Sequence, residues 1–170
     1  EEPHARPGPE KLLLREESGE LAMALYLEAA LLERLACADP WERLTDHNLD
    51  DFCTVVEGVS HLNYVAWNAG RDKCVTLLEL EMQAEVDKYV AARLLLARQP
   101  GSELGRRLCD RLFDNPDFDP ALSPEEAARY RDANRLAARY CRSLVQRFPA
   151  ASASCSPGMR RGKHWCARCG

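Results

Sequence analysis

The chain contains no isoleucine, and its valine and threonine residues together number only 11 of 170. Leucine and alanine, by contrast, number 47. Because β-branched residues favour the pleated surface of a sheet, this imbalance argues against a protein built mainly from sheet. The sequence predicts an all-α fold, a bundle of about five helices with a short C-terminal Cys/His tail.

Several other features are missing, and each absence excludes a class of protein. No stretch approaches the roughly 18 uninterrupted apolar residues of a membrane span, and no charged-then-apolar leader opens the chain, so we expect no membrane partner. Residues 101–105 are glycine-containing but lack the lysine and the preceding strand of a phosphate loop. Ser60 and His61 are adjacent on a predicted helix and point about 100° apart, which argues against a catalytic triad.

The charge is unevenly distributed along the chain. The net charge is −4, but residues 150–170 carry four basic residues and no acidic one, so the remainder carries −8. A dedicated nucleic-acid binder normally presents a net basic face. Nucleic-acid binding is therefore not expected of the body and is confined, if anywhere, to the tail; a protein partner is the expectation.

The eight cysteines predict a cytoplasmic protein rather than a secreted, disulfide-bonded one. They make up fewer than one residue in twenty and are unevenly spaced, unlike the framework of a small secreted scaffold. Five lie singly in predicted helical segments, where thiols pack as small hydrophobes, and three lie in the tail. In chain order they are Cys37, Cys53, Cys74, Cys109, Cys141, Cys155, Cys166 and Cys169.

Apolar periodicity and local start and stop signals divide the chain into five predicted helices. In the first, residues 21–30 are apolar on every side except at Glu28, which is typical of a buried helix. The predicted spans are 11–38, 49–69, about 74–99, 102–113 and 123–149. Small polar residues follow, so we expect residues 1–149 to form the bundle and 150–170 a linker and tail.

The tail is the first candidate metal site. Cys166 and Cys169 have the CxxC spacing that lets two thiolates bind one metal ion, and Cys155 and His164 supply two further ligands for a tetrahedral zinc site. Zinc would also explain how a segment too small for a core becomes ordered. Two alternatives stay open: a flexible tail with reactive thiols, and a Cys166–Cys169 redox pair.

The second candidate site lies inside the predicted bundle. Glu57 and His61 are one turn apart on the second helix, Glu81 and Glu85 are one turn apart on the third, and Glu28 is the only charge in the apolar part of the first. Carboxylates and imidazoles that project inward from neighbouring helices are how helical bundles hold metal ions. The Glu-x-x-His repeats of di-iron bundles are absent, however.

A salt-bridge network is the alternative interpretation of these carboxylates. The fifth helix carries a stripe of arginines that would pair with Glu81 and Glu85, and His61 would then be an ordinary half-buried histidine. Glu28 is expected to face the third helix, within reach of His61 or of one of these arginines, because an unpaired buried carboxylate is costly. The arginines are Arg131, Arg135, Arg139 and Arg142.

Two functions remain open. The first is a non-catalytic helical module that binds zinc through its tail and mediates protein interaction. The second is a small metalloenzyme with a carboxylate/His metal site inside the bundle. What separates them is whether the interior carboxylates and His61 converge on one point or reach arginine partners instead.

Overall fold

A computed structural model describes the chain over residues 8–99, 101–114, 116, 118 and 120–148. Two strands come first, followed by five α-helices and one π-helical turn. The elements are β1 (Glu10–Glu17), β2 (Glu20–Leu27), α1 (Ala29–Cys37), α2 (Leu49–Ala69), α3 (Leu77–Ala97), α4 (Glu103–Cys109), the π-helical turn (Asp110–Asp114) and α5 (Pro124–Arg147).

The prediction of an all-α fold is wrong, because the span predicted as the first helix is mostly a β-hairpin. β1 and β2 pair antiparallel, from Glu10 opposite Leu27 to Glu17 opposite Glu20. The two residues of the connecting loop, Ser18 and Gly19, both have positive φ angles, of 54° and 81°. Such a loop matches the twist of the flanking strands, so it reverses the chain where a helix would continue.

The hairpin is held by packing against α2 rather than by strong β-propensity. Leu12, Met23, Leu25 and Leu27 lie on the face that is half-buried, and both strands contact α2. Alanine and leucine do not by themselves favour strands, so burial of this face overrides local preference. Only a nine-residue helix, α1, remains of the predicted first helix.

Replacing Gly19 with alanine is expected to destabilise the hairpin by about 1 kcal/mol, because a Cβ atom is unfavourable at positive φ. Hydrogen exchange of the β1 and β2 amides measures the effect locally. Ser18→Gly is the matched control, since glycine adopts the same φ without that cost and protection should be kept. Unchanged protection in Gly19→Ala would contradict the proposed role of the loop.

The other four predicted helices are confirmed, and their ends follow from local signals. Thr76 and Ser123 begin α3 and α5 with complete capping boxes, in which each side chain accepts from the backbone N–H three residues later. Pro124 occupies the first turn of α5. α2 spans the predicted residues, and Gly70 follows its last turn.

α3 is the central helix and packs against both α2 and α5. Small residues make the contact with α5 close, because Ala84, Ala92, Ala133 and Ala137 are almost completely buried. The larger core side chains, including Tyr89 and Phe113 with ring centroids 5.8 Å apart, lie toward α4. From the N-terminal part of α3 to its middle, polar side chains face those of α2: Glu81 lies opposite His61, and Lys88 lies opposite Glu57.

No helix of the described part of the chain is long and apolar enough to span a membrane.

Candidate metal centre

Three ligand-type side chains converge between α2 and α3. Glu57 and His61 lie one turn apart on α2, and Glu81 lies on α3; one ligand atom from each falls within 4.8 Å of the others. The side chains of His61 and Glu81 are each only 9% exposed. The structure thus brings together three of the five bundle residues that the sequence singled out.

A fourth carboxylate comes from the hairpin. Glu10, the first residue of β1, places Oε1 3.8 Å from Nδ1 of His61, and its Oε2 is buried with no hydrogen-bond partner. Sequence reasoning missed Glu10 because it stood at the edge of the supposed first helix. The Ser18–Gly19 pair was the available signal, since recognising that turn would have predicted a hairpin with Glu10 opposite Leu27 at its open end.

The imidazole of His61 stands between two carboxylates. Its Nε2 lies 3.6 Å from Oε2 of Glu81, which is longer than a hydrogen bond, and this buried nitrogen has no hydrogen-bond partner. Its Nδ1 faces Glu10 on the opposite side. Metal-binding histidines typically bind the metal through one nitrogen and are oriented by a carboxylate at the other. His61 has a carboxylate on each side, with Nε2 toward Glu81 and Nδ1 toward Glu10, and neither pair is within hydrogen-bond distance.

Lys88 pairs with two of the carboxylates of this cluster. Its Nζ donates to Oε2 of Glu57 at 3.0 Å and to Oε1 of Glu85 at 2.6 Å. Glu85 is therefore a counter-ion of Lys88 and is not among the three converging ligands. With every group ionised, the four carboxylates outnumber the two basic side chains by two charges. These groups are Glu10, Glu57, Glu81 and Glu85 against His61 and Lys88.

The pKa values report this excess of buried negative charge. Burial, reinforced by the charges of Glu57 and Glu81, raises the pKa of Glu10 despite the opposing effect of His61. Burial alone would lower the pKa of His61, but the neighbouring carboxylates, first of all Glu81, outweigh it and raise that pKa. On α5, burial and the same negative charges raise the pKa of Tyr130 to about 12. Each of these pKa shifts follows from burial combined with the charges of neighbouring carboxylates.

Glu28 does not take part in this centre. It precedes the first turn of α1 and its side chain is exposed. Its backbone N–H donates to the carbonyl of Pro9 at 2.9 Å, and its carbonyl accepts from the N–H groups of Leu31 and Leu32. The expectation that Glu28 faces α3 is wrong because it assumed a continuous first helix. Among the described residues of the N-terminal region, Glu10 is the only one whose carboxylate reaches the site.

The arginine stripe of α5 does not neutralise the cluster either. All four of its arginines are exposed; Arg135 pairs with Asp132 and Arg142 with Asp114. The predicted network between these arginines and the α3 carboxylates is therefore wrong, and Lys88 of α3 itself takes that role for Glu85. The four tail residues predicted to bind zinc, Cys155, His164, Cys166 and Cys169, lie outside the described residues.

Comparison with known protein families, curated proteins and solved structures found no match to this chain.

Proposed function

We propose that the protein is a metal-binding helical module in which Glu57, His61 and Glu81 bind a divalent cation between α2 and α3. One observation carries the proposal: a buried imidazole nitrogen with no hydrogen-bond partner faces a carboxylate inside a cluster of excess negative charge. A buried polar atom without a partner is costly, and a metal ion is a partner that this nitrogen can take.

Charge balance supports a divalent ion. With His61 neutral as a ligand, the four carboxylates of the cluster exceed Lys88 by three negative charges, and a divalent cation bound by Glu57 and Glu81 removes two of them. Glu10, whose Oε1 lies 3.8 Å from Nδ1 of His61, would then act as the orienting carboxylate. Without the metal, the same groups must carry extra protons or repel one another at short range in a weakly screened environment.

The donor set favours zinc or manganese over magnesium or calcium. Two carboxylate oxygens with one imidazole nitrogen form a mixed set, whereas magnesium and calcium take oxygen ligands. We propose zinc as the occupant, with manganese as the competitor to be tested. Three protein ligands leave the fourth position of a tetrahedral zinc ion to water or another donor, and the burial of His61 and Glu81 limits access to that position, which favours a non-catalytic role over the metalloenzyme alternative.

The tail remains a second proposed zinc site, formed by Cys155, His164, Cys166 and Cys169, through which the protein would contact a protein partner. The CxxC spacing is the observation that favours it. A cytoplasmic location is likewise a proposal, supported by the unpaired state of the five cysteines in the described residues.

Zinc binding to the full chain without the Cys166 and Cys169 thiols distinguishes the bundle site from the tail site. The Cys166→Ser/Cys169→Ser variant should still bind one equivalent of Zn²⁺ in competition with a chromophoric chelator. Adding His61→Ala should weaken that binding by more than about a hundredfold, since loss of even an outer-shell partner costs about 10–100-fold.

His47→Ala, at an exposed loop position, is the matched control and should leave the affinity unchanged. Equal Zn²⁺ affinities for the His61→Ala and His47→Ala variants would exclude the bundle centre. Repeating the titration with Mn²⁺ establishes which of the two ions the centre prefers.

A further inference from the structure

We infer that the β-hairpin controls the metal centre through Glu10, which acts as the positioning residue for His61. Docking of the hairpin on α2 and metal binding are then coupled, so that each strengthens the other. This inference rests on the proposed metal centre and adds a regulatory element that belongs to the N-terminal region rather than to the helices.

The contact of Glu10 with the centre has the form of an orienting interaction. Oε1 lies 3.8 Å from Nδ1 of His61, on the side of the ring opposite Glu81. A small shift of either side chain would bring this pair into hydrogen-bond range while Nε2 faces Glu81. Because a hydrogen bond at one imidazole nitrogen orients the ring and raises the basicity of the other, Glu10 would act on the metal without binding it.

Gly58 makes this approach of the hairpin possible. A Cβ atom at this position of α2 would lie 2.8 Å from Oε2 of Glu10 and 2.8 Å from Cδ1 of Leu25. Glycine in the middle of a helix costs about 1 kcal/mol relative to alanine, so its presence calls for a local reason. The reason here is that both strands of the hairpin come against α2 at this residue, one with a carboxylate and one with an apolar side chain.

The centre and the hairpin are therefore linked thermodynamically. A docked hairpin supplies Glu10 and raises the metal affinity, and by reciprocity the bound metal stabilises the docked hairpin by the same free energy. The groups that act electrostatically on Glu10 come from α2 and α3: they are His61, Glu57, Glu81 and Lys88. The hairpin packs on α2 and has no comparable contact with α3 or α5 among the described residues, so docking at this one surface decides the coupling.

The test uses the full chain with Cys166→Ser and Cys169→Ser as the background and Zn²⁺ as the probe. Glu10→Gln is expected to weaken Zn²⁺ binding by about 10–100-fold, as loss of an outer-shell carboxylate does. Hydrogen exchange of the β1 and β2 amides should slow when Zn²⁺ is added to the background protein, and this slowing should be lost in Glu10→Gln.

Glu16→Gln is the matched control, because Glu16 lies on the same strand and is exposed. It should keep both the Zn²⁺ affinity and the Zn²⁺-dependent protection of the hairpin. A purely structural role of Glu10 would change hairpin protection equally with and without Zn²⁺ and would leave the affinity unaltered, which would overturn the inference.

Gly58→Ala provides an independent test that leaves every ligand in place. Alanine should stabilise α2 as a helix, yet we expect weaker Zn²⁺ binding and a less protected hairpin because the new methyl group displaces Glu10 and Leu25. If His61→Ala abolishes Zn²⁺ binding while Glu10→Gln and Gly58→Ala bind normally, the centre stands and the hairpin coupling is wrong. A background protein that binds no Zn²⁺ would overturn both.

Discussion

Replacing Lys88 with methionine is expected to lower the free energy of unfolding by about 3–5 kcal/mol in the presence of chelator. Nζ of Lys88 is the cation between Glu57 and Glu85, and its side chain is only 13% exposed. Methionine retains the apolar stem but leaves two partly buried carboxylates without a counter-charge. Breaking a buried pair by removing one partner is strongly destabilising for this reason.

Two comparisons isolate the electrostatic part of this loss. Lys73→Met removes an exposed lysine and should change stability by less than about 0.5 kcal/mol. Adding Glu57→Gln and Glu85→Gln to Lys88→Met should restore much of the stability, because neither former partner of Lys88 then carries an unpaired charge. If Lys88→Met were as mild as Lys73→Met in chemical denaturation, the proposed charge balance of the centre would be wrong.

The cost of Lys88→Met should also depend on pH. Burial already raises the pKa of Glu85, while Lys88 opposes that effect, so removal of Lys88 should raise this pKa further. A carboxyl group whose pKa is raised in the folded protein contributes stability below its unfolded pKa and loses it as the pH rises. The deficit of Lys88→Met should therefore be larger at about pH 8 than at about pH 5, in denaturation experiments at both values.

Replacing Asn48 with alanine is expected to lower the free energy of unfolding by about 2–4 kcal/mol. Its amide nitrogen donates to the backbone carbonyls of Ala38 and Arg43 at 2.8 and 2.9 Å, and its oxygen accepts from the N–H of Thr45 at 2.8 Å. The residue is only 4% exposed, so its loss leaves several partly buried backbone groups unsatisfied. Each such group costs about 1–3 kcal/mol.

Asn63→Ala is the control for Asn48→Ala, because Asn63 is exposed on α2 and alanine is the better helix former. It should be neutral or slightly stabilising in the same denaturation experiment. Asn48→Asp keeps the acceptor and loses both donated bonds, so a loss comparable to that of Asn48→Ala would assign the effect to the two carbonyls. A change below about 0.5 kcal/mol in Asn48→Ala would contradict the role assigned to this side chain.

The hydrogen bonds of Asn48 could not be predicted from its neighbours along the chain. Asparagine is a favoured residue at the start of a helix, and Asn48 directly precedes α2. Its side chain, however, makes no capping hydrogen bond and instead ties together the loop between α1 and α2. An asparagine side chain can bond either the free N–H groups of the helix start or the backbone groups of the preceding loop. Which of the two it bonds depends on where that loop lies.

The sequence by itself determined the positions of four helices, α2, α3, α4 and α5, because these depend on interactions between near neighbours along the chain. The starts of α3, α4 and α5 rest on side chains that cap the next turn, as Ser123 does, and the buried faces of the helices follow the 3.6-residue period. The same period put Glu57 and His61 on one stripe of α2. Interactions over three or four residues are visible in a sequence because the chain cannot separate the partners.

Only the tertiary structure decided what the N-terminal region is and which carboxylates form the centre. A run of leucine and alanine satisfies a helix or a strand, and the hairpin exists because α2 buries one of its faces and Gly58 admits it closely. Because the N-terminal region is a hairpin and not a helix, Glu10 lies at the site and Glu28 does not. The orientation of α3 pairs Glu85 with Lys88 and leaves Glu81 facing His61. The charge balance of a buried site depends on contacts between distant segments, so composition and spacing cannot reveal it.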